Sequence, residues 1–194
     1  MSLHSVEFST ENVKKRISTI YNQSNGRIKE FMDINNYQFI FSLESPWAIS
    51  DDRYPDPNGL LGKTSLLKES GQIIVNIYYE KLTQTLKFIF HNFYNFKRAN
   101  RVCDLYIEFI LAHELAHVGQ FTQNKYKCLV AKEDESGVLE ANRSYEIEAD
   151  NIALDYMEDT YSEIGRYIGI IGRKIHVNSL NNATMIRELI EKVD

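Results

Sequence analysis

The sequence is poor in cysteine and proline, has no excess of positive charge and no long apolar run. Two cysteines occur in 194 residues, Cys103 and Cys128, far apart and in no CxxC pair. That excludes a secreted disulfide framework and fits free thiols in a reducing compartment. All three prolines fall between Pro46 and Pro57, so no proline interrupts elements elsewhere. No stretch approaches the roughly 18 uninterrupted apolar residues of a membrane-spanning helix. The opening MSLHSVEFSTENVKKR has no apolar h-region, so no signal peptide is expected. Net charge is −5, with acids and bases mixed along the chain. Nucleic acid is therefore excluded as a default partner, because phosphate binding needs a basic face. A soluble, cytoplasmic protein is expected, with no membrane and no nucleic-acid partner. No internal repeat, low-complexity segment or linker-like shift divides it, so residues 1–194 are expected to form one domain.

What is present reads as mixed α and β. Residues 10–21 predict a short helix, capped by Ser9 or Thr10, with Val13, Ile17 and Ile20 on one face. NNYQFIFSLES alternates Phe39, Phe41 and Leu43 and predicts a strand. Residues 45–63 hold the prolines and predict a loop. GQIIVNIYY, residues 71–79, is β-branched and aromatic and predicts a second strand. Helices are expected near 80–97, 102–121, 138–158, 162–175 and 184–192. The fold class is α+β: a small N-terminal sheet followed by a helical half.

Two motif lookalikes fail on spacing. GLLGKTS (59–65) has Pro57 where a phosphate-binding P-loop needs its first glycine, and no strand precedes it. DDRYPDPNG aligned as a calcium loop on Gly59 puts Tyr54 at the first ligand position and Ser65 at the last, where a bidentate glutamate is needed. Turn chemistry accounts for both stretches.

Residues 105–121, LYIEFILAHELAHVGQF, place His113, Glu114 and His117 in the middle of an apolar helical run. Burying three such groups costs free energy unless something repays it. On a helix, i and i+4 lie one above the other, so His113 and His117 can offer two imidazole nitrogens to one point. Zinc takes such nitrogens, and a catalytic zinc uses three protein ligands and lowers the pKa of bound water. Glu114, beside the first histidine, is placed to act as general base. Chance yields an HExxH in roughly 1% of chains this long.

A third ligand must come from elsewhere, because HVGQFTQNKYK lacks the H-x-x-G-x-x-H extension that metzincins carry. RSYEIEADNIALDYM (143–157) is a helical stretch bearing Glu146, Glu148 and Asp150. Glu146 and Glu148 differ by about 200° around a helix, so only one can face a given point. Glu146 shares its side with Ala149, Asp150 and Ala153, two of them small enough for close helix approach. Glu148 shares its side with Ser144, Ile152 and Asp155, a more solvated set.

HELAH followed by E-x-E-A-D resembles the gluzincin metallopeptidases, with spacing similar to the ImmA/IrrE-type peptidases. Glu146 to Asp150 is also similar to the E-x-x-x-D signature of the HtpX and CAAX-prenyl-protease type. The match covers residues 72–157. The chain departs from both: HtpX-type enzymes carry membrane helices, and ImmA/IrrE-type chains continue into a Leu-Leu-Met-Pro-like stretch where this one has Ala153 to Glu158. The resemblance implies a zincin-like domain with His113, His117 and Glu146 as Zn2+ ligands and Glu114 as catalytic base. It implies that Asp150 hydrogen-bonds a ligand imidazole. It also implies an edge strand, here 71–79, that pairs with extended substrate; the alternative for these residues is a core strand. His176 and Tyr161 are the candidates to stabilise the oxyanion. The implied activity is hydrolysis of an intracellular protein or peptide substrate. The alternative is a regulatory or interaction protein that keeps a zinc site without turnover.

Overall fold

The computed structural model describes residues 8–45, 61–67, 69–90, 96–122 and 144–176, without the side chains of 88–90, 96–97 and 173–176. The helix expected at 184–192, residues 138–143 and Cys128 lie outside the described residues. The elements are α1 (Thr10–Phe31), β1 (Phe39–Glu44), β2 (Gly62–Leu66), β3 (Ile73–Tyr78), α2 (Tyr79–Phe90), α3 (Phe96–Thr122) and α4 (Ser144–His176). A small three-stranded sheet is thus followed by a helical half, the α+β arrangement.

Helix α1 opens on Ser9, whose side chain accepts from the Asn12 amide at 3.2 Å and satisfies one orphan donor. Its buried residues, Val13, Ile17, Ile20, Ser24 and Ile28, recur at helical spacing. The helix outruns its expected end at 21 by ten residues. The segment Asn22–Gly26 is a poor helix former, but Ser24 and Asn25 turn their polar groups back onto the Ile20 and Tyr21 carbonyls, both at 2.8 Å. Burial of Ser24 and Ile28 then outweighs propensity.

The sheet order is β1-β3-β2, with β1 parallel and β2 antiparallel to β3. This corrects two expectations. The strand expected at 71–79 forms as β3, but it is the central strand and not the edge. Among the described residues the edges are β1 and β2, and β2, Gly62–Leu66, is a strand that the sequence placed in a turn-rich loop. GKTSL carries little β propensity of its own. Its extended state comes from pairing with β3, Gly62 opposite Ile77 through Leu66 opposite Ile73, a non-local term that local composition does not report.

Helix α3 is the hub. The sheet, α1 and α4 all pack against it, and Leu105–Leu115 is buried without interruption. A helix covered on every side is apolar all round, which explains the unbroken run. Glu108 lies inside it because its charge is met three times: by Tyr156 Oη at 2.5 Å, Tyr161 Oη at 2.7 Å and Arg27 Nη2 at 2.9 Å. Arg16 of α1 pairs with Asp104 and donates to the Asn100 carbonyl. Helix α4 breaks at Ser162, where φ is 56° and ψ −138°. Its second arm turns back so tightly that a Cβ at Gly165 would meet the Met157 carbonyl oxygen at 1.8 Å, so only glycine fits there. Cys103 is buried and free. No helix among the described residues is long and apolar enough to cross a membrane.

Candidate metal centre

Helix α3 presents His113 and His117 one turn apart, and the first turn of α4 brings Glu146 to them. His113 Nε2 lies 3.2 Å from His117 Nε2 and 3.2 Å from Glu146 Oε2, and the third side of the triangle is 3.5 Å. Tetrahedral ligands at 2.0–2.1 Å from one ion stand about 3.4 Å apart. The triangle therefore has the dimensions of a tetrahedral metal's ligand face. The three side chains could hold a metal ion.

The outward sides of the imidazoles decide which atoms face inward. His113 Nδ1 lies 2.9 Å from Asp150 Oδ1. A carboxylate at that distance favours the proton on Nδ1, which leaves the Nε2 lone pair for the triangle. His117 Nδ1 lies 2.7 Å from Gln120 Oε1. Gln120 Nε2 donates to the Tyr145 carbonyl at 2.8 Å and to Glu148 Oε2 at 3.1 Å. Those two acceptors fix the amide's orientation, so its oxygen faces His117 and again the proton sits on Nδ1. Three acceptors, Nε2, Nε2 and Oε2, thus converge on one point. Such an array repels itself unless a cation lies among them, and a buried one has no water to relieve it.

Without a metal, protons serve as that cation. Burial opposes charge on both histidines, yet Asp150 and Glu146 outweigh it at His113, whose pKa lies well above the ordinary imidazole value. Glu146 does the same for His117, raised less far. Burial raises the Glu146 carboxyl, but His117 and His113 overcome it and hold it far below the usual carboxylate range.

Glu114 points to the sheet side of α3 and is 5% exposed. Strand β2 forms its seat. Thr64 Oγ1 lies 2.8 Å from Glu114 Oε2 and 2.8 Å from the Glu114 carbonyl. A Cβ at position 62 would stand 2.6 Å from Glu114 Oε1, so Gly62 is what leaves the carboxylate room. Burial pushes the Glu114 pKa up, partly offset by His117 and His113.

Comparison with known proteins identifies no family. No family model, no curated protein and no solved structure matches the chain.

The remaining candidates are placed differently from expectation. The Tyr161 hydroxyl donates to Glu108 and accepts from Arg27 at 3.0 Å. The structure thus places the oxyanion-helper candidate Tyr161 in the Glu108 cluster. The His176 side chain lies outside the described residues. Glu148, on the side expected to be the more solvated, is half-buried and accepts from Gln120. Sequence reasoning missed three contributors. Gln120 carries a weak signal, since it stands at i+3 from His117 on the same side of the helix. Gly62 and Thr64 carry none, because their partner lies about fifty positions away.

Proposed function

We propose that the protein is a zinc-dependent endopeptidase acting on an intracellular protein or peptide. The observation that carries this reading is the triangle of three acceptors with Glu114 on the adjoining position. His113, His117 and Glu146 would hold the ion. Zinc bound there supplies a Lewis acid that polarises a carbonyl and brings the pKa of water toward neutrality. Glu114 takes the proton from the attacking water and returns it to the leaving amine. Thr64 and Gly62 hold that carboxylate in one place. The outer edge of β2 pairs with no strand among the described residues, and it supports a polypeptide substrate, whose backbone can extend a sheet by one strand.

The burial of His113, Glu114 and His117, at 5–7% exposure, favours a second reading, a metal-stabilised regulatory protein without turnover. Glu114→Gln separates the two. The variant is expected to retain one equivalent of zinc, because Glu114 is no ligand. It is expected to lose hydrolysis of fluorescein-labelled casein, because an amide cannot accept the proton. A wild type that takes up zinc and cleaves nothing, or a variant that cleaves equally well, overturns the endopeptidase reading.

A further inference from the structure

Gln120 joins one ligand to the segment that carries another. It is 5% exposed, stands one turn beyond His117 on α3, and makes three hydrogen bonds with one amide. Its oxygen accepts from His117 Nδ1 at 2.7 Å, while its nitrogen donates to the Tyr145 carbonyl at 2.8 Å and to Glu148 Oε2 at 3.1 Å. Tyr145 and Glu148 bracket Glu146 in the chain. One side chain therefore grips one ligand directly and the backbone and side chain on either side of another.

We propose that Gln120 is the positioning residue that assembles the three-ligand centre, a role that rests on the metal reading above. Its amide does two things that no single-ended residue could do. It imposes the Nδ1–H form on His117, leaving Nε2 for the ion. It also anchors the first turn of α4, so that Glu146 arrives at the two histidines already in place. The arrangement is reciprocal. Helix α4 sends Asp150 to orient His113, and helix α3 sends Gln120 to orient the segment bearing Glu146. Each helix supplies ligand atoms and also the group that holds the other's ligand. A ligand held beforehand loses less freedom on binding, so removing such partners lowers metal affinity without removing a ligand.

The test is zinc affinity by competition with a chromophoric chelator, with the Co2+ visible spectrum reporting coordination geometry and circular dichroism reporting fold. Gln120→Leu keeps the size and removes all three bonds. It is expected to lower affinity by roughly 10–100-fold and to alter the Co2+ bands. Gln120→Glu alone keeps the acceptor for His117 but sets two carboxylates together, and is expected to weaken binding as well. The double variant Gln120→Glu/Glu148→Gln restores a donor to the pair and is expected to recover most of that loss. A folded Gln120→Leu within twofold of wild type overturns the positioning role alone. Should the leucine variant not fold, equal affinity in Gln120→Glu and the double variant overturns it instead. A wild type that takes up no zinc overturns the metal reading, and this role with it.

Discussion

Replacing Gly62 with alanine drives a methyl group into the seat of Glu114. The new Cβ would stand 2.6 Å from Oε1 and 2.8 Å from both Cδ and Cγ. Ordinary contact begins at 3.4 Å, so the carboxylate must retreat by about 0.8 Å (3.4 less 2.6) to relieve the repulsion. Turning the terminal torsion alone does not help, because Cγ is struck as hard as Cδ. The whole side chain has to change rotamer, and its contact with Thr64 Oγ1 breaks. Overpacking of this kind costs about 1–3 kcal/mol of stability. A catalytic group displaced by about 1 Å costs roughly 10²-fold in rate. The metal should stay, because Glu114 is not among the three converging acceptors. Under the proposed endopeptidase activity, Gly62→Ala is therefore expected to take up zinc as wild type does, melt a few degrees lower and hydrolyse labelled casein about a hundredfold more slowly. Zinc content by mass spectrometry, thermal melts and initial rates would be measured on the same preparation. Turnover within twofold of wild type would show that β2 does not seat the base, and the mechanism built on that seat would fall.

Three other outcomes follow from the same geometry. Glu108→Ala leaves the buried Tyr156 hydroxyl without its acceptor and opens a cavity, so it should cost about 3 kcal/mol in denaturant unfolding; a loss under about 1 kcal/mol would contradict the cluster's role. Tyr161→Phe should cost about 1 kcal/mol and leave casein hydrolysis unchanged, whereas a collapse in rate with normal stability would return Tyr161 to the catalytic centre. The raised pKa values of His113 and His117 give the metal-free fold a stabilisation fully present below the ordinary imidazole value of about 6.5, and lost as pH rises through the raised values. Zinc bound at the proposed centre would have to displace those protons, so its stabilisation would grow with pH. The gap in melting temperature between zinc-loaded and chelator-treated protein should therefore widen from about pH 5.5 to about 8.5, and a constant gap would exclude proton–metal competition at these residues.

The sequence alone determined whatever depends on one helical turn. His113 and His117 face one way because they stand four apart, and Glu114 faces another because it stands beside His113. In the same way Glu146 and Asp150 share a side, and Glu148 does not. That geometry is local covalent geometry, and it holds wherever the helix is placed. The apolar run around HELAH also announced a helix buried on all sides, since no exposed helix can be apolar all round. Tertiary structure alone decided what crosses between elements. Whether Glu146 meets the histidines depends on how α4 lies against α3, 33 positions away. The polar segment GKTSL is a strand only because β3 offers its backbone, and β3 is central only because β1 and β2 both pair with it. Tyr161 reads as a free hydroxyl until Glu108 and Arg27 are found against it. Gln120 reads as an ordinary surface-type amide until His117, Tyr145 and Glu148 close around it. Each of these is a competition among burial, pairing and hydrogen bonding over the whole chain, and no short window of residues contains its terms.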